Sequence, residues 1–448
     1  MSTFSGLTNA LTSLNAQRYG LDVTGENIAN ANTPGYTRRR ADISEAAAAG
    51  GISALYATPH GAGGGMTAST SRLNDPVVDS RARAEHGRNG YLQTKAATLS
   101  GVENLFDEPS DNGLSERLNE FWNAWASVAN NPGDLAARNV VLQTAASAAD
   151  ALNETSAALD RVTQGVSDQV SDVTGLINTA ATALAGINGA IAIGTATGTN
   201  TSALADQRDQ LLMTLSDLAG TQSTLQPDGS ATVTVGGENL VVGTTASAVT
   251  VSANELVVGG VPVPVAGGKV QGLLDGLSTA IPAYAAQLDA VAAALASDVN
   301  TMQQAAYDLS GASGGPLFSG TTAGTLAVAV TDPALLAASG TPGGNLDASV
   351  ALALSGMGTS ATGADNQYRQ LVGTLAADVQ RTNQQSVVQA SVTTSIDALA
   401  QSSSGVSFDE EATNLLTYQR AYQASSRVLT TVDEMLDTLI SHTGRVGL

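Results

Sequence analysis

The sequence predicts a mainly α chain with a β insertion (α+β), laid out as an elongated helical rod, and three observations carry that expectation. Apolar residues recur at three-four spacing at both extreme ends of the 448-residue chain. Hydrophobic residues make up 43% of the sequence but aromatics only 4%. Short β-branched segments interrupt the helical pattern after residue 220. The apolar fraction is too high for a disordered chain. So few aromatics favour thin, Ala- and Leu-packed helical layers over one massive core.

The first element is a helix over about residues 3–30, in which Phe4, Leu7, Leu11, Leu14, Leu21 and Ile28 follow a heptad pattern broken at Arg18 and Gly25. It ends at the run ANTPGY, where Pro34 removes a backbone donor and Gly35 permits positive φ. The other end mirrors it. Ser407 and Glu410 have capping-box spacing, and Leu415, Tyr418, Tyr422, Ser425, Leu429, Val432, Leu436 and Leu439 repeat at three-four spacing without Gly or Pro over 406–443. The N- and C-terminal helices are expected to pair as a coiled coil. Between them, residues 80–106, 114–130, 134–188, 201–219, 276–308 and 364–400 read as helices. The segments ATVTV, NLVVG, AVTVSA and ELVVGGVPVPV are short and bounded by Gly, Asn, Asp or Pro, as antiparallel strands are. A weaker β stretch lies near TLAVAV, residues 325–330. These readings divide the chain into an axial helix and turn over 1–45, a helical middle over 46–219 and 271–400, a small antiparallel β module over 220–270 and a C-terminal axial helix over 401–448.

Composition excludes several classes of function. The formal charge of −21 argues against nucleic acid and against anionic membranes, because phosphates demand clustered Lys and Arg. The run Arg38-Arg39-Arg40 reads as a local solvated or intersubunit patch. With no cysteine there are no disulfides or thiolate metal sites. No uninterrupted apolar run approaches the roughly 18 residues of a membrane span, and the N-terminus lacks the pattern of a secretory signal. Catalysis needs a constellation, and none stands out: no catalytic, cofactor or metal residues are assigned. His60, His86 and His442 have no metal-ligand spacing, and Gly61–Gly65 lacks the Lys-Ser/Thr ending of a phosphate loop. Asp206, Arg208 and Asp209 read as surface ion pairs, and the acidic cluster 409–411 as helix capping.

The segment LNAQRYGLDVTGENIANANTPGYTRRR, residues 14–40, closely resembles the one shared by flagellar rod, hook and hook-associated proteins, with Asn27, Asn30, Thr33, Pro34, Gly35 and Tyr36 as its signature. LNEFWNAWASVANNPGDLAARNVVLQ (118–143), DQRDQLL (206–212), SDVNTMQQAAYDLSGASGGPLF (297–318) and the ending from Ser404 to Ile440 resemble the hook-associated branch of that family, which joins hook to filament. The alternatives are another axial component, such as a hook or distal rod protein, or a secreted adhesin or enzyme with helical ends. The resemblance implies a structural, non-catalytic subunit, exported unfolded by the flagellar type III system, with a chaperone holding the C-terminal helix beforehand. Its implied partners are further copies in a ring or short helical assembly, the hook protein and the filament-side hook-associated protein. The expected assembly surface is Leu7, Leu11, Leu14, Leu21 and Ile28 with Leu415, Tyr422, Leu429, Leu436 and Leu439.

Overall fold

The computed structural model describes residues 3–45, 66–106, 108–110, 113–343 and 346–443. The Gly61–Gly65 run and His60 lie outside the described residues, as do the side chains of Leu439 and His442. The chain opens with α1 (Thr3–Ala29), then a hairpin of β1 (Arg39–Glu45) and β2 (Met66–Arg72), with Arg39 opposite Arg72. The helical body follows with α2 (Pro76–Glu103), α3 (Leu114–Asn130), α4 (Leu135–Thr197) and α5 (Ser202–Ala219). Seven short strands come next: β3 (Gln222–Leu225), β4 (Ala231–Val235), β5 (Glu238–Val242), β6 (Thr245–Ala246), β7 (Val249–Ser252), β8 (Glu255–Val258) and β9 (Val261–Val263). The body resumes with α6 (Gly268–Asp275), a π turn over Gly276–Ala280, α7 (Ile281–Gln304), the two-residue strands β10 (Phe318–Ser319) and β11 (Ala327–Val328), and α8 (Ser349–Ser355). Two long helices close the chain, α9 (Ala364–Ser404) and α10 (Phe408–Thr443).

Local chemistry accounts for the boundaries. Asp75 caps α2 by accepting from the Val77 and Val78 amides, with Pro76 in the first turn where a missing N–H costs nothing. Asp134 caps α4 through the Ala136 amide, and the helix runs to a left-handed Gly198. At 63 residues it is roughly 95 Å long. It therefore extends past the end expected at residue 188.

The strands form two antiparallel sheets, β3-β4-β5-β6 and β7-β8-β9. Their hairpins turn through Gly236–Gly237, Ala253–Asn254 and Gly259–Gly260, all at positive φ, which matches the right-handed twist of the flanking strands. The module leaves and rejoins the body at one point: a methyl group on Gly220 would lie 2.7 Å from Gly267 Cα. Residues from 268 onward are already helical.

The core runs along α3, α4 and α7. Phe121 meets Trp122, Trp125 and Phe318 at centroid distances of 4.7, 6.4 and 5.8 Å, and Trp122 Nε1 donates to Asp365 on α9 at 2.8 Å. Leu152, Ile177, Leu184, Leu288 and Val299 are buried further along the same continuous core. Each such side chain contributes about 1.5–3 kcal/mol. Two helical stretches, Leu135–Thr197 and Gly268–Gln304, are long and apolar enough to cross a membrane, but each turns a buried stripe into this core.

Candidate assembly interface

The chain ends meet as an antiparallel helix pair, α1 along α10. Three contacts fix its register. Asn27 meets Glu411, Gly20 lies against the ring of Tyr418, and the Ser13 and Ser425 hydroxyls hydrogen-bond at 3.1 Å. Each contact is one heptad along from the last on both helices, the signature of a coiled-coil seam. On α10, Leu415, Tyr418, Tyr422, Ser425, Leu429, Val432 and Leu436 form one half-buried stripe, and Glu411 is buried at its head.

On α1 the seam is not the leucine stripe. The α10-facing side carries Ala10, Ser13, Gly20, Thr24 and Asn27, of which all but the half-buried Ser13 are buried. Ala16 and Val23 are buried on the neighbouring side of the helix. Leu7, Leu14, Leu21 and Ile28 sit one residue, about 100° of helical turn, further round and are only half-buried, while Leu11 is 50% exposed. The reason is steric. A Cβ on Gly20 would come within 2.8 Å of the Tyr418 ring, so large α10 residues fill space that small α1 residues leave. The two apparent heptad breaks, Arg18 and Gly25, are exposed positions away from this seam.

The signature after α1 is a structural joint. Asn27 uses its whole carboxamide: Nδ2 donates to Arg39 O at 2.7 Å and Glu411 Oε2 at 3.1 Å, while Oδ1 accepts from Arg39 N at 2.9 Å and the Tyr36 hydroxyl at 2.8 Å. Asn30 Nδ2 donates to Glu26 O and its Oδ1 accepts from the Thr33 hydroxyl, closing the turn. Pro34 O accepts from Gln210 Nε2 on α5 at 2.7 Å, and Gly35 takes φ of 74°. A methyl group at Gly35 would lie 2.0 Å from the Gln210 amide nitrogen. Tyr36 carries the Arg39 guanidinium 5.0 Å over its ring. Burial pushes its phenol up to about 12, against the opposing pull of Arg39.

Three charge readings from the sequence need correction. Arg38-Arg39-Arg40 is not a solvated patch: Arg38 pairs with Glu411 at 2.8 Å and Glu410 at 2.5 Å, and the buried Arg39 pairs with Glu26 at 2.7 Å and Asp206 at 3.4 Å. Only Arg40 is exposed, beside Asp42. Asp206, Arg208 and Asp209 are not surface ion pairs. Asp206 and Arg208 are buried, and Arg72 from β2 bridges Asp206 and Asp209 at 2.8 Å each. Nor does the acidic cluster serve only the helix dipole, since Glu411 is 2% exposed and spent on Asn27 and Arg38.

The joint therefore ties α1, the hairpin, α5 and α10 by charge-assisted bonds that lose much if any partner is removed. Sequence reasoning missed Arg72, and the pairing role of Glu411, because their charged partners lie more than a hundred residues away. Among the described residues no group of three or more His, Asp or Glu could hold a metal.

Comparison with known proteins matches this geometry. The family model described as the flagellar hook-associated protein FlgK helical domain covers residues 99–318. Models described as flagella basal body rod protein and flagellar basal body rod FlgEFG protein C-terminal cover 7–37 and 399–441, which hold the two helices of the terminal pair. Flagellar hook-associated protein 1 of Bacillus subtilis (strain 168) is 28% identical over 504 residues, spanning 100% of this chain and 99% of its own length. That of Escherichia coli (strain K12) is 25% identical over 330 residues, 70% of this chain and 59% of its own length. The structure of the flagellar hook junction protein FlgK from Burkholderia pseudomallei shares the fold, with a TM-score of 0.66 at 18% identity, over 73% of this chain and 100% of that one. Rod-type segments at both ends, enclosing a separate helical domain, define a flagellar axial protein and a structural component of the flagellum. Within that class the chain is similar along its whole length to flagellar hook-associated protein 1.

Proposed function

We infer that this chain is the non-catalytic subunit joining hook to filament, and that it assembles through the terminal helix pair. The observation that carries the reading is the double face of α1. Its small-residue side is consumed by α10, while Leu7, Leu14, Leu21 and Ile28 stay partly exposed at heptad spacing and Leu11 is 50% exposed. Apolar residues at outer positions of a two-helix coil call for another helix. A neighbouring copy in a ring or short helical array supplies one.

In this reading residues 1–45 and 401–448 make the axial contacts, and Leu415, Tyr422, Leu429 and Leu436 act by holding α1 in place. The helical middle, 46–219 and 271–400, makes side-to-side contacts, and the β module of 220–270 faces outward. The hook protein and the filament-side hook-associated protein are the axial neighbours. Export runs through the flagellar type III apparatus, with a chaperone on the C-terminal helix.

The test is imaging of cells that lack the protein and carry either the wild-type chain or Leu11→Asp/Leu14→Asp. Cells lacking it should bear hooks without filaments and leak filament subunits into the medium. The leucine variant should fold yet fail to restore filaments; restoration by it would refute the assembly surface.

A further inference from the structure

A helix cannot offer main-chain hydrogen bonds to a neighbouring strand, because its own N–H and C=O groups are spent internally. A residue in an extended segment presents its N–H and C=O together on one side, and both need partners. Among neutral side chains only a carboxamide carries a donor and an acceptor side by side in the geometry of a peptide group.

Five times among the described residues a helical carboxamide makes that bidentate pair with one backbone residue. Asn27 reads Arg39 at 2.7 and 2.9 Å, and Asn178 reads Val249 at 2.8 Å twice. Asn188 reads Ala231 at 2.8 Å twice, with a third bond to Gly243 O at 3.0 Å. Asn300 reads Phe318 at 2.8 and 2.9 Å, and Gln303 reads Ala337 at 2.7 and 3.0 Å. Arg39, Ala231, Val249 and Phe318 are each the first residue of a strand. Asn188 falls in the buried stripe of α4 between Leu184 and Ile191, where an asparagine is costly unless fully bonded.

We propose that these carboxamides are register pins: they choose where each non-helical excursion attaches to the helical scaffold. The apolar contacts supply adhesion, but apolar surfaces slide. The amide pairs admit one residue and no other. For the β module this gives two separate attachments. Asn178 holds the first strand of the β7-β8-β9 sheet, and Asn188 holds the β4 entry of the four-stranded sheet. The two pins lie ten residues apart on one helix, roughly 15 Å. The module is thereby indexed to α4 and moves with it.

The inference is tested by residue-resolved hydrogen exchange on the full chain carrying Asn178→Ala or Asn188→Ala, with Thr182→Ala on the exposed side of α4 as a control. Asn178→Ala should speed exchange in β7–β9 by at least about tenfold and leave β3–β6 unchanged, and Asn188→Ala should do the reverse. Asn178→Gln, which keeps both polar groups but displaces them by one methylene, should reproduce the Asn178→Ala pattern if the alanine variant folds poorly. Equal loosening of both sheets, or no loosening in either, would overturn the proposal, because adhesion by apolar packing alone has no reason to separate them.

Discussion

Replacing Glu411 with glutamine keeps the size of a side chain that is 2% exposed while removing its charge. Both carboxylate oxygens are engaged, Oε1 by Arg38 Nε at 2.8 Å and Oε2 by Asn27 Nδ2 at 3.1 Å. A glutamine must turn its own NH₂ toward one of those two donors. Removing one partner of a buried ion pair costs roughly 3–5 kcal/mol. Arg38 is 18% exposed and keeps Glu410, so the lower figure, about 3 kcal/mol, applies. That raises the population in which α10 has lifted from α1 by about a hundredfold. Hydrogen exchange read by mass spectrometry should show the gain in peptides from α1 and α10 and none in α3, α4 or α7. The double variant Arg38→Met/Glu411→Leu should recover part of the loss, since it removes both charges together. Wild-type exchange in the terminal peptides of Glu411→Gln, or an equal rise throughout the body, would refute the view that this residue couples the two chain ends.

Two glycines of α1 should respond in opposite directions to the same change. Gly25→Ala meets nothing within 4 Å and should stabilise the helix by about 0.5–1 kcal/mol, whereas Gly20→Ala collides with Tyr418 and should lower the melting temperature of the terminal pair. Gly35→Ala should loosen the hairpin and α5 together, by about 1–2 kcal/mol for the left-handed backbone alone, with the loss of the Gln210–Pro34 bond in addition; exchange in peptides 36–45 checks it. Alkali should act through Tyr36. Its folded pKa lies above the ordinary 10.0, so the neutral phenol's contribution is full below that pH and is lost as pH rises through about 12. The urea midpoint of the wild type should fall across that window, and Tyr36→Phe should reduce the fall.

The long helices were legible because their apolar periodicity survives any tertiary context, and the β module because its turns are spelled in Gly, Ala and Asn. The seam of α1 was misplaced by one residue for a physical reason. Leu7, Leu11, Leu14 and Leu21 dominate any hydrophobic pattern, but a contact built on Gly20 and Ser13 carries no hydrophobic signal and is visible only once Tyr418 stands opposite. The β1–β2 hairpin escaped notice because RRADISE and MTASTSR carry only two apolar residues each; Arg72 and the Tyr19–Thr70 bond hold it instead. The ion network was unreadable for want of proximity in sequence. One signal was present and unused: asparagines within apolar stripes, of which Asn188 is the clearest.

Because the chain has no cysteine, a single introduced thiol reports on one position only. Leu11→Cys, half exposed on the outer face of α1, can be alkylated in the monomer and again in isolated hook–filament junctions. An assembling leucine face predicts rapid labelling in the monomer and protection on assembly, with Arg161→Cys on the exposed face of α4 as an independent reference. Labelling of Leu11→Cys at the monomer rate within intact junctions would contradict it, since the leucine face of α1 would then have no neighbour to meet.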